Sequence, residues 1–192
     1  MRPKVLTAAL VAVVATALVA STALASKPHH ARASASDITR LRLTPSTPEL
    51  ARCMPRARVR VTVRSTTETL GFDLFTVTAR HLPPKRDFTV FLLEQAGQPF
   101  GAAEYIGDIT TNRRGYARNT FRLIVDEAFS STLVNGQRVR VDLNRVGMWF
   151  ADPADDDFCF GKNGGQITPF DGDNEAGVQA FNSANAGPLP AP

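Results

Sequence analysis

Between Arg58 and Arg64 every second residue is valine, and the residues between the valines are arginine or threonine. A period of two puts Val59, Val61 and Val63 on one face of an extended chain and the polar residues on the other. A helix would scatter those valines around its circumference, so the segment is predicted as a strand with one wet face. Such a strand needs a paired neighbour and an apolar layer to cover it. The rest of the chain offers both. Phe72, Leu74, Thr76 and Thr78 interleave with Phe75, Val77 and Ala79 until Leu82-Pro83-Pro84, where proline can no longer donate to a ladder. Phe88 to Glu94 is apolar at both parities, which predicts a central strand. Ala102 to Thr110 and Tyr116 to Val125 flank the turn Thr111-Asn112-Arg113-Arg114-Gly115 and are expected to pair as a hairpin. Asn135-Gly136 is a second turn signal, followed by Val139, Val141 and Leu143 in alternation. Val146, Met148 and Phe150 then alternate with Gly147 and Trp149. About seven short strands without a long helical pattern predict an all-β fold. The leading architecture is an antiparallel sandwich of Ig-like or Greek-key type, and a partly open β-barrel competes with it.

The two ends read differently from this centre. Met1, Arg2, Pro3 and Lys4 precede an apolar run from Val5 to Ala20, and Ala23 and Ala25 supply an A-x-A cleavage pattern. Residues 1–25 are therefore expected to be a secretory signal peptide, with cleavage after Ala33 or Ala35 as alternatives. The run is shorter than a spanning helix requires, so no membrane span is expected after cleavage. Residues 26–51 read as a flexible leader rich in Ala, Ser, Thr, Pro and Arg, from which Ile38, Leu41 and Leu43 could dock as an extended piece. The folded domain is expected over 52–182, with a short helix across Asp173 to Asn182, and 183–192 as a disordered tail.

Cys53 and Cys159 are the two cysteines, and export into an oxidising compartment predicts that they pair. Buried free thiols and an intermolecular bridge are the alternatives. Their separation of 106 positions would make the cross-link worth about 4–5 kcal/mol in chain entropy. Charge is segregated. Ser26 to Arg64 holds nine basic residues against Asp37 and Glu49, whereas Val146 to Pro192 holds Lys162 against seven acids. A Cys53–Cys159 bridge would bring Arg52, Arg56 and Arg58 near Asp155, Asp156 and Asp157, so internal charge pairing is the expected use of both clusters. Loss of Arg2 and Lys4 with the signal would also take the net charge from +4 to +2, which weakens any argument for nucleic acid from basicity alone.

Chemistry-bearing motifs are scarce. His81 is the one histidine within the predicted domain, and no G-x-S-x-G accompanies it, so no Ser-His-Asp site is expected. Neither a P-loop nor G-x-G-x-x-G occurs, and no cofactor is expected. Asp171, Asp173 and Glu175 have the one-three-five spacing of a calcium loop, but Ala176 and Asn182 occupy the places where that loop needs Gly and Glu. They stand as weak calcium candidates. Trp149 and Tyr105, with Tyr116 and Phe100, would make a sugar-stacking platform if they share an exposed face, against a core role as the default. Arg58, Arg60 and Arg64 lie on the wet face of their strand and would attract polymer phosphates, although no aromatics interleave with them for base stacking.

Pro99-Phe100-Gly101-Ala102-Ala103-Glu104-Tyr105-Ile106-Gly107-Asp108 and Trp149-Phe150-Ala151-Asp152-Pro153-Ala154-Asp155-Asp156-Asp157-Phe158-Cys159 resemble segments of small secreted proteins of high-GC Gram-positive bacteria. The likeness covers roughly Val59 to Ala186. It implies export and a β-rich fold, and it transfers no activity and no site. The sequence therefore reads as an extracellular binding or structural module, with a cell-wall polymer or another exported protein as partner. A secreted hydrolase using loop carboxylates is the alternative.

Overall fold

Period-two segments become strands wherever a partner edge meets them. The computed structural model describes residues 38–162, 164–169 and 175–190. Residues 1–37, and with them the expected signal peptide and the first half of the expected leader, lie outside the described residues, as do Asp171 and Asp173. In chain order the strands are β1 (Ile38–Pro45), β2 (Arg58–Arg64), β3 (Asp73–Arg80), β4 (Asp87–Leu93), β5 (Ala103–Thr110), β6 (Ala117–Leu123), β7 (Phe129–Val134), β8 (Gln137–Asp142), β9 (Arg145–Phe150), β10 (Thr168–Pro169), β11 (Glu175–Ala176) and β12 (Gln179–Asn182). Short helices α1 (Pro48–Cys53), α2 (Thr67–Leu70) and α3 (Asp157–Phe160) sit in the connections.

Eight strands form one antiparallel sheet in the order β5-β4-β9-β12-β1-β2-β3-β6. The fold is thus all-β, with a sheet so nearly closed that it shares the character of a sandwich and of a barrel. Its two halves meet where β1 pairs with β12 at Thr44 and Pro45. Leu41, Val59, Val61, Val63, Phe75 and Val77 from one half pack with Phe88, Val90, Val146, Met148, Phe150 and Phe181 from the other. Every valine of the founding alternation is buried, and β4 is a central strand covered on both faces.

The expected hairpin between β5 and β6 does not form. Its turn is real: Gly115 has φ +67°, and its amide donates to Asn112 O at 3.0 Å. The strands that leave the turn, however, find better partners on opposite sides, β5 on β4 and β6 on β3 over seven residue pairs each. β5 and β6 therefore become the two ends of the sheet. Asn119 Nδ2 spans this seam to Asp108 O at 3.1 Å. The Phe121 ring lies against Gly107, where a Cβ would come within 2.4 Å of it.

Three boundaries also move. Residues 38–51, read as the second half of a leader, are a strand and most of a helix, because Leu41 and Leu43 fill the core while Ile38 to Leu43 pair with Arg64 to Val59. The Thr47 hydroxyl caps α1 by accepting from Leu50 N at 3.2 Å, with Pro48 in its first turn. Residues 175–182 are two short strands rather than a helix, since only an extended chain can pair with both β9 and β1. Residues 183–190 are no free tail: Leu189 is buried with its amide on Asn144 O, and Ser183 Oγ accepts from Val146 N. Asn135-Gly136 does close the β7–β8 ribbon, both residues having positive φ as a primed turn requires.

Asp73 anchors the outer loops. Its buried carboxylate accepts from Thr66 N, Thr67 N and Thr67 Oγ1 on one oxygen and from Val125 N on the other, at 2.7–3.1 Å. Burial alone would raise its pKa, but these donors outweigh that and hold it below the usual carboxylate value.

Candidate anion-binding face

Register turns scattered arginines into an array. On β1, β2, β3 and β6 the odd-numbered core residues point inward, so the even-numbered ones share the outer face. Arg40, Arg42, Arg58, Arg60, Arg64, Arg80, Arg118 and Arg122 all stand exposed there. Arg42 lies directly opposite Arg60, and Arg58 opposite Arg80. Like charges placed so cost roughly 0.2–1 kcal/mol per pair. Among the described residues, none of the eight is in ion-pair contact with a carboxylate. Between them lie Thr62, Thr76, Thr78 and Thr120, with Leu74 between Arg64 and Arg122, and the hydroxyls of Thr76 and Thr120 are hydrogen-bonded at 2.9 Å. Long arginines around short threonines leave an open groove of about 870 Å³.

Arg58, Arg60 and Arg64 are thus brought together as the sequence suggests, while Arg40, Arg42, Arg80, Arg118 and Arg122 were missed as members of the same site. The available signal was parity, since Arg118, Thr120 and Arg122 alternate as the β2 residues do. What was lacking was the register that lays β3 and β6 beside them.

Other candidates are dispersed or covered. Trp149 is 1% exposed and edge-on to Phe91 and Phe100, so it cannot present a stacking surface. It does face away from the main core, into a second small core capped by Ala176. Tyr105 is 56% exposed, donates to Asp108 Oδ2 at 2.9 Å and packs edge-on against Phe91, which links it to the buried Trp149 and Phe100 without giving a flat stacking platform. Of the calcium candidates only Glu175 is described, exposed on β11. Among the described residues, no three His, Cys, Asp or Glu side chains gather to hold a metal ion.

The Cys53–Cys159 disulfide is formed, with Cα atoms 5.5 Å apart, but Arg52, Arg58 and Asp155 have other partners than the pairing expected across it. Arg52 pairs with Glu49 at 2.9 Å, Arg58 donates to the carbonyls of Pro55 and Ala57, and Asp155 is held by Arg86 at 2.7 Å. Burial raises the Asp155 pKa despite Arg86. Burial likewise raises that of Asp156, whose carboxylate accepts from Val178 N and lies under Gly165 and Gly177. Both carboxylates are engaged in holding their loop together. No described helix is long and apolar enough to cross a membrane. The chain matches no family model, no curated protein and no solved structure.

Proposed function

We propose that this chain is an exported binding module that holds an anionic polymer at or outside the cell surface. The observation that carries the reading is the outer face of β1, β2, β3 and β6. Eight arginines that no carboxylate among the described residues pairs with are aligned there, and Arg42 opposite Arg60 and Arg58 opposite Arg80 come at a cost to stability. A fold needs no such array, whereas a field of one sign over a sheet face gathers polyanions and steers them in. The disulfide suits an oxidising compartment, and the N-terminal segment reads as an export signal.

The test is co-sedimentation of the mature protein with purified cell-wall sacculi across a salt series. Retention at low salt should fall steeply as salt rises, and Arg60→Gln/Arg118→Gln should lose it. Retention unchanged by those substitutions would move the site elsewhere, and no retention at low salt would remove the wall-polymer reading.

A further inference from the structure

Building on that reading, we infer that the face takes a linear chain of phosphates without stacking bases, laid across the strands along a lane of threonine. The registers put Arg40, Thr62, Thr76 and Thr120 in one row perpendicular to the strands. One pleat repeat to either side, about 6.8 Å along each strand, Arg60 and Arg64 straddle Thr62, and Arg118 and Arg122 straddle Thr120. The two straddling pairs stand two strands apart, about 10 Å. A chain lying in the lane would have hydroxyls beneath it and guanidinium groups on both sides.

The chemistry of the lane is that of a donor surface. It carries arginine and no lysine. The planar fork of arginine grips tetrahedral and planar oxyanions through two parallel bonds, where an ammonium offers a point charge. Threonine hydroxyls add the short neutral donors that commonly accompany arginine on phosphate oxygens. Sulfate ester oxygens are weaker acceptors and gain less from the same donors. Nucleic acid finds little to hold its bases. The floor has no ring, and the rings at its rim, Phe72 and Tyr116, each have one face taken, by Arg122 at 5.0 Å and Arg80 at 5.8 Å. Single-strand binders depend on free ring faces for stacking. Inorganic polyphosphate and a polyol-phosphate polymer share the chemistry that fits.

Binding of the mature protein to four polyanions of equal charge number, at one ionic strength, tests this: inorganic polyphosphate, poly(glycerol phosphate), oligo-dT and heparin. At least one phosphate chain without bases should bind about tenfold or more tighter than oligo-dT and heparin, and which one does so identifies the source. Thr62→Val/Thr76→Val/Thr120→Val, which keeps β propensity, should weaken that chain about tenfold and leave heparin unchanged, because it removes the Thr62 donor and the one O–H that the bonded Thr76–Thr120 pair leaves free. Arg60→Gln/Arg118→Gln should weaken every polyanion and lower the slope of log affinity against log salt by about two. Oligo-dT or heparin binding as tightly as the phosphate chains, or threonine variants that bind like the parent, would overturn the lane while leaving a general anion face. Failure of all four at low salt would overturn the anion-binding reading itself.

Discussion

Replacing Asp73 with asparagine should destabilise the protein by about 2–4 kcal/mol. The structure supplies the terms. One carboxylate oxygen accepts from Thr66 N at 2.8 Å, Thr67 N at 3.1 Å and Thr67 Oγ1 at 2.7 Å, and the other from Val125 N at 3.0 Å. Asparagine has a single acceptor oxygen, which the three donors claim. Its amide nitrogen then faces the buried N–H of Val125, donor against donor. One charge-assisted bond, worth about 1.5–3 kcal/mol, is lost outright and three become neutral bonds of about 1 kcal/mol, while the cheaper burial of an amide offsets part of the loss. For a domain of this size that lowers Tm by roughly 4–16 °C at 2–4 °C per kcal/mol. The pH dependence has a definite sign. The native pKa of Asp73 is depressed, so its contribution is fully present above the unfolded value of about 3.9 and is lost as pH falls through the native value. Thermal melts of parent and Asp73→Asn should thus differ by a constant amount near neutrality and converge in acid, with the exposed Glu68→Gln as a silent control. Coincident melts at pH 7, or a gap that widens in acid, would refute the reasoning.

Gly115→Ala should cost at least about 2 kcal/mol and Gly136→Ala about 1. Both have positive φ, but a Cβ at Gly115 would come within 2.0 Å of Leu82 O, while Gly136 faces open space; urea melts order the two. Reduction, or Cys53→Ser/Cys159→Ser, should lower stability by up to about 4–5 kcal/mol for a separation of 106 residues, read as a shift of the urea midpoint at unchanged signal of the folded state. Arg60→Thr should raise the melting midpoint slightly by relieving its opposition to Arg42, even as polyanion binding weakens. Asp156 has the opposite sign to Asp73. Its raised native pKa makes stability increase as pH falls through that value, and Asp156→Asn should remove this rise from a series of melts between pH 7 and 4.

The parts of the fold that were legible are those whose cause is local. Val59, Val61 and Val63 declare which side of β2 is buried, and Phe88 to Leu93 declare a strand covered on both faces. Asn135-Gly136 declares its turn because only a few residues tolerate two positive φ values in succession. Misreadings fall where a segment's conformation depends on what lies beside it. Gly115 announces a turn without saying whether the flanking strands will pair with one another, and β4 and β3 outcompete that hairpin. Leu41 and Leu43 are too few to mark a strand within an Arg- and Thr-rich stretch until β2 offers an edge. Trp149 has the parity of an exposed residue and is buried because a distant segment, Ala176, folds over it.

For the site the division is sharper. The sequence by itself determined that arginine and threonine occupy the wet positions of several strands, since alternation is a property of each strand alone. It also determined that Cys53 and Cys159 could be joined. Only the tertiary structure decided that Arg60 meets Arg42, that Thr62, Thr76 and Thr120 line up, and that no carboxylate answers them among the described residues. The physical reason is that a ladder fixes neighbours through backbone hydrogen bonds indifferent to side-chain identity. The core side chains choose the register, and the outer residues are carried into place with it.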